Sequence, residues 1–267
     1  MADPGTFTPS SRGGSGEPLV LLHGFTDTWR SWDLVRPALE ARYEVFAPTL
    51  AGHAGGPDLP EELSHDSIPD ALERTLDEAG IETAHVVGNS LGGYVALQLA
   101  ARGRAKSVVA LAPAGGWAED GEADFRETLA QFAQAQELVK AAVPHADAIV
   151  ATPEGRRTAT EWFVANFEHI PAELIVHQMR GAAACPGAGR LMEFAEREGW
   201  QLDSERIECP VRIAWGTDDR VLRPPAEARY RDGWVPQAEW VELDGIGHMP
   251  QLDVPTETTG LILGFGD

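Results

Sequence analysis

Short apolar runs recur along the chain, and most are followed by a longer stretch with helical spacing. "LVLL" at 19–22, "YEVFAP" at 43–48, "AHVVG" at 84–88 and "SVVALA" at 107–112 come first. After a long gap come "VRIAWG" at 211–216 and "AEWVEL" at 238–243. A strand that is apolar throughout is covered on both faces, the mark of a parallel sheet between helical layers. The intervening segments fit that architecture. Residues 66–79 repeat Ile68, Ala71, Leu72, Thr75, Leu76 and Ala79 on a helical period and stop at Gly80. Residues 91–102 do the same with Leu91, Tyr94, Val95, Leu97 and Leu99, ending near Gly103. The expected fold class is α/β, with a mostly parallel, doubly covered sheet.

The rhythm breaks between about 116 and 205, where helical periods follow one another with no strand between them. This stretch is read as an all-helical insertion, entered near Gly115-Gly116 and left near "CPVRI". The expected organisation is a core of residues 1–115 and 206–267 with a helical cap (lid) of residues 116–205. At 267 residues the chain is long enough to bury a core without disulfides or metals, and Cys185 and Cys209 make neither a disulfide framework nor a metal site. The net charge of −21, from 21 basic and 42 acidic residues, repels phosphate backbones and anionic membranes. No nucleic-acid or membrane partner is therefore expected. The opening "MADPGTFTPSSRGGSGEP" has no apolar stretch of the secretory kind and reads as a flexible leader. Cytoplasmic placement follows as the expectation.

Chemistry enters at Gly88-Asn89-Ser90-Leu91-Gly92, a G-x-S-x-G pattern between a strand and a helix. A serine at the apex of a sharp strand-to-helix turn sits at strained dihedrals, and side chains two residues away on either side would collide. The turn exposes the hydroxyl and leaves the Leu91 N–H free at a helix N-terminus, aimed where an oxyanion would form. With 28 glycines in the chain, the competing reading is close packing of a helix on a sheet. The strand-turn-helix context favours a nucleophile, which then needs a base, an orienting carboxylate and a second oxyanion donor.

Of the eight histidines, His248 in "DGIGHMPQLD" follows the last strand. It thus falls at the carboxyl edge of the sheet, the edge that carries Ser90 and where open α/β sheets bind ligands. Gly245 and Gly247 let the loop fold the imidazole inward. His23 and His53 sit in loops after strands, His85 reads as structural, and the rest lie in loops or the insertion. "VRIAWGTDDRV" supplies two carboxylates, Asp218 and Asp219, either suited to accept a bond from His248 Nδ1–H. "LLHGF" at 21–25 supplies the Phe25 N–H as the second oxyanion donor.

Together "LVLLHGF", "GNSLGG", "WGTDDRV" and "GIGHMPQLD" resemble the α/β-hydrolase fold superfamily, specifically its serine hydrolases with a Ser-Asp-His triad and an inserted helical cap. The resemblance covers about the first 115 and the last 60 residues. "APTLAGHAGGPD" resembles the family's D-x-x-G-H-G-x-S loop, with Ala54 where a glycine is usual. Little chain precedes "LVLL" to build the usual first two strands, so at least one is expected to be absent or short. The resemblance implies Ser90 as nucleophile, His248 as base and, from the G-x-x-D pattern, Asp219 as acid with Asp218 in reserve. It also implies an oxyanion hole from the N–H groups of Phe25 and Leu91.

The expected activity is hydrolysis of small or medium carboxylic esters through an acyl-enzyme on Ser90, with no metal or organic cofactor. Relatives that open epoxides or haloalkanes use a carboxylate nucleophile, and serine at position 90 argues against both. "GNSLGG" also resembles C–C bond hydrolases of ring-fission diketones, whose oxyanion loop is usually richer in glycine than "HGFTDTW". Cofactor-free haloperoxidase or perhydrolase chemistry and cyanohydrin cleavage are further alternatives. A small-molecule receptor that keeps the triad is the non-enzyme alternative. An apolar substrate pocket is expected from Trp29, Trp117, Trp162, Phe163 and Met249.

Overall fold

The computed structural model describes residues 7–117 and 121–265. Its sheet has the strands β1 (Ser10–Gly14), β2 (Glu17–Leu22), β3 (Tyr43–Pro48), β4 (Ala84–Asn89), β5 (Ala105–Leu111), β6 (Val211–Gly216) and β7 (Glu239–Leu243). Their spatial order is β1-β3-β2-β4-β5-β6-β7. All neighbours are parallel except β1, which runs antiparallel to β3. The helices of the core are α1 (Arg36–Leu39), α2 (Ser67–Glu78) and α3 (Leu91–Ala101). Between β5 and β6 lie α4 (Glu122–Ala142), α5 (Ala146–Val150), α6 (Pro153–Thr160), α7 (Ala172–Ala183) and α8 (Ala188–Glu198). The short α9 (Pro250–Asp253) and α10 (Pro255–Leu263) follow β7.

Strand alternation explains why the apolar runs are unbroken. Val20, Leu22, Val86, Val108 and Ile213 pack on one face with residues of α2 and α3. Leu19, Leu21, Val87, Val109 and Ala214 pack on the other with Trp32, Leu39 and Ile262. The helices between β5 and β6 form a third cluster around Val150, Ile170, Leu174, Ile175 and Met179, joined by Met249 and Leu252 from the chain after β7. That cluster ties the inserted helices to the loop that carries His248. Among the described residues no helix is long and apolar enough to cross a membrane.

The amino-terminal reading needs correction. Residues 10–14, expected to be flexible, form the edge strand β1, in register from Ser10 opposite Pro48 to Gly14 opposite Glu44. Arg12 holds the edge through an ion pair with Glu44 at 2.7 Å. One strand therefore precedes β2, short and polar because it is paired on one side only. Positions 1–6 of the expected leader lie outside the described residues, as do 118–120 of the expected insertion.

Helix α3 sits unusually close to β2. A Cβ on Gly92 would stand 2.2 Å from the Leu22 carbonyl oxygen and 2.6 Å from that of His23. Gly260 in α10 is the natural control, since nothing lies within 4 Å of its would-be Cβ. Gly92→Ala is expected to destabilise by about 3 kcal/mol through overpacking. Gly260→Ala is expected to stabilise by about 0.5–1 kcal/mol through helix propensity. Urea midpoints of the two variants check both signs.

Candidate active site

Ser90 occupies the turn between β4 and α3 at φ 55° and ψ −120°, a left-handed conformation rare for a residue with a side chain. Hydrogen bonds hold it there. Its N–H donates to Leu111 O at 2.9 Å, and its carbonyl accepts from Tyr94 N at 3.1 Å and Ala114 N at 3.0 Å. The glycine at position 88 is needed because a Cβ there would lie 2.1 Å from Gly92 O. Ser90 is 4% exposed. Leu91 opens α3, so its N–H has no acceptor within the helix.

The loop after β2 passes directly beside this turn, and a Cβ on Gly24 would meet Ser90 Cβ at 3.4 Å. It closes as a tight turn, Asp27 N donating to Gly24 O at 3.3 Å, with Thr26 at φ 64°. The strain at Thr26 brings Phe25 and Asp27 to the cavity wall. His23 anchors the loop from beneath. Its Nε2 accepts from Leu50 N at 2.9 Å, so the ring proton is on Nδ1 and donates to Gly24 O at 2.8 Å. Burial depresses His23 well below the ordinary imidazole value and His53, stacked edge-on against it, to about 4. Both are neutral packing groups.

His248 is 2% exposed, and its Nδ1–H donates to Asp219 Oδ2 at 2.7 Å. Asp219 Oδ1 accepts from Val221 N and Leu222 N, each at 2.8 Å. Asp218 does not share this role; its N–H donates to Ile246 O at 3.0 Å. Gly216, at the end of β6, admits the histidine loop, since a Cβ there would lie 2.1 Å from Ile246 O. His248 Nε2 is buried without a hydrogen bond to any described residue, and Ser90 and His248 line one cavity of about 650 Å³. An imidazole with Nδ1–H engaged and Nε2 free has the tautomer of a general base.

Three polar side chains that sequence reasoning missed stiffen this arrangement. Asn89 Nδ2 donates to the carbonyls of Leu111 at 3.1 Å and His248 at 2.9 Å, and its Oδ1 accepts from Gln251 Nε2 at 3.1 Å. Serine turn and histidine loop are thereby tied together. Asp253 accepts from the backbone N–H groups of Ala165, Asn166 and Gly247 and from Asn166 Nδ2, at 2.7–2.8 Å. That carboxylate joins the inserted helices to the histidine loop. Only position within the motif marked Asn89, and nothing in spacing marked Gln251 or Asp253.

A second, smaller cavity of about 110 Å³ meets the first at Ser90, Phe25 and Phe132. Of the aromatic and Met candidates, Trp117 lines the smaller cavity, and Trp162, Phe163 and Met249 line the larger. Trp29 lines neither. Its Nε1 donates to Thr8 Oγ1 at 2.9 Å and Arg36 lies over its ring, so the expectation of a pocket role at Trp29 is corrected. No cluster able to hold a metal is present among the described residues.

A family model described as "Alpha/beta hydrolase family" matches residues 19–260. The chain is 33% identical over 204 residues to epoxide hydrolase EphH of Mycobacterium tuberculosis, covering 76% of this chain and 95% of that protein. It is 29% identical over 269 residues to the pimeloyl-(acyl-carrier protein) methyl ester esterase of Aromatoleum aromaticum, covering 91% and 96%. Among solved structures, a thermophilic esterase from Thermogutta terrifontis superposes with a TM-score of 0.68 at 22% identity, covering 96% and 91%.

Asp27 generates a prediction of its own. Burial pushes its carboxyl up to about 6 from an ordinary value of 3.8, against the hydrogen bonds from Thr28 and Gln178 that favour the anion. Between pH 3.8 and about 6 the unfolded chain has released this proton and the folded chain has not, so stability falls as pH rises through that window. Above it the buried anion costs about 3 kcal/mol. Asp27→Asn is therefore expected to raise the urea midpoint at about pH 7.5 and to lose that advantage below about pH 4. Equal midpoint shifts at both pH values would contradict this.

Proposed function

The chain belongs to the alpha/beta hydrolase family, a family of enzymes, and on that footing we propose that it hydrolyses small or medium carboxylic esters through an acyl-enzyme on Ser90. The observation that carries the reading is the buried His248, held by Asp219 at Nδ1, with its free Nε2 in the cavity that Ser90 also lines. His248 Nε2 takes the Ser90 proton as Oγ attacks the ester carbonyl carbon. The N–H groups of Phe25 and Leu91 hold the oxyanion of the tetrahedral intermediate. As the carbon–oxygen bond breaks, His248 returns the proton to the departing alcohol. Water, deprotonated by the same nitrogen, then attacks the acyl-enzyme and releases the acid. Residues 116–205 act as the cap over this site. His248 Nε2 and Ser90 share no hydrogen bond in the structure, and such catalytic bonds commonly tighten only in the complex with substrate.

Esters are favoured over epoxides because the group on the strained turn is an alcohol.

Ser90→Ala is expected to lower kcat/KM for p-nitrophenyl butyrate by about 10³-fold or more, with unchanged thermal stability. His248→Ala should fall by a similar factor, and the double variant little further, because the two groups act as a unit. Styrene oxide is the control substrate. Diol formation that survives Ser90→Ala, with no Ser90-dependent ester cleavage, would move the assignment to the activity named for the mycobacterial relative.

A further inference from the structure

The two cavities that meet at Ser90 differ in chemistry. The smaller is walled mainly by Leu91, Tyr94, Trp117, Phe125 and Trp200, with His65, Ser67 and Gln98 but no carboxylate. The larger contains His248, and with it Asp27 and Gln178. Proton bookkeeping assigns the substrate's halves to them. The proton that Ser90 gives to His248 must pass to the oxygen of the leaving alcohol, and His248 lines only the larger cavity. The alcohol half therefore lies in the larger cavity and the acyl chain in the small apolar one. This assignment rests on the ester-hydrolase reading above.

We propose that Asp27 and Gln178 form a polar subsite in the larger cavity that selects leaving alcohols bearing a hydrogen-bond-donating head group, a hydroxyl or an ammonium. Asp27 is 8% exposed and stands one tight turn from Gly24, where an added Cβ would reach Ser90 Cβ at 3.4 Å. Its Oδ1 accepts from Thr28 N at 2.7 Å and its Oδ2 from Gln178 Nε2 at 3.1 Å. A carboxylate has about four acceptor sites, so two bonds leave capacity for a donor arriving through the cavity. The charge acting on Asp27 is that of Asp33, another carboxylate, and no cation of the described residues pairs with it. Arg223 lines the same cavity but from an exposed position, and His248 is engaged by Asp219.

A mere tie between the loop and α7 does not call for an anion. An asparagine would accept from Thr28 and reach Gln178 without burying an uncompensated charge. A donor on the substrate supplies the missing partner, and a site built to bond such a group discriminates strongly against analogues that lack it. The chain's net charge of −21 draws cationic substrates toward it as well.

The test is a set of butyrate esters of n-alkyl, ω-hydroxyalkyl and ω-aminoalkyl alcohols of four and six carbons, assayed at about pH 7 with wild type, Asp27→Asn and Gln178→Leu. The wild type is expected to prefer a donor-bearing ester over its n-alkyl counterpart by about 10-fold or more in kcat/KM. The hydroxyl and amino arms say which donor it is. Asp27→Asn should reduce that preference about 10-fold, chiefly through KM, and Gln178→Leu should reduce it less. Equal losses on all esters, leaving the ratio unchanged, would reduce Asp27 to a structural tie and overturn the proposal. So would a wild type with no donor preference but Ser90-dependent hydrolysis, and that outcome leaves the ester-hydrolase reading intact. Hydrolysis that is absent, or that persists in Ser90→Ala, overturns both.

Discussion

The left-handed backbone at Ser90 is the constraint from which the rest of the site is built. A side chain at φ 55° is strained, and the turn persists because β4, β5 and α3 over-determine it. Leu111 and Ala114 pin its amide and carbonyl, and the bare faces of Gly88 and Gly92 let α3 close against β4 and β2. The same closeness sets the Leu91 N–H beside Ser90 and brings the Gly24 loop against Ser90 Cβ. The Ser90 turn, the Leu91 N–H and the Gly24 loop are thus consequences of one packing arrangement.

His248 reaches the site by a parallel device on the neighbouring strands. Gly216 lets the loop after β7 lie on the end of β6, where Asp219 waits for His248. Asn89 then closes the circuit by donating to the His248 carbonyl. Asp253 extends it into the inserted helices, fastening the segment around Ala165 and Asn166 to the histidine loop together with the Met249 N–H bond to Phe163 O. Movement of the inserted helices and the placement of His248 are therefore mechanically linked.

Much of this was legible in the sequence because it is local. The six apolar runs all appear as strands, five of them largely buried and the last, β7, a partly exposed edge, and Ser90, Asp219 and His248 each follow such a run. What stayed hidden is non-local or polar. Strand β1, "SSRGG", has no apolar pattern because it is an edge, recognisable only from its pairing with β3. Asp253 and Asn166 are 87 residues apart, and Asp27 and Gln178 are 151 apart, so no spacing announces them. Trp29 misled in the other direction: an aromatic near the oxyanion loop suggests a pocket wall, but the short helical turn at Trp29–Trp32 directs it toward Thr8 and Arg36.

The central claim is that Ser90 is the nucleophile and that His248 activates it. Labelling the protein with an alkyl fluorophosphonate and mapping the adduct by peptide mass spectrometry tests it most directly. The account predicts one phosphonylated peptide, modified at Ser90, with labelling slowed by orders of magnitude in His248→Ala. An adduct on another residue, or labelling of Ser90 that does not depend on His248, would contradict it.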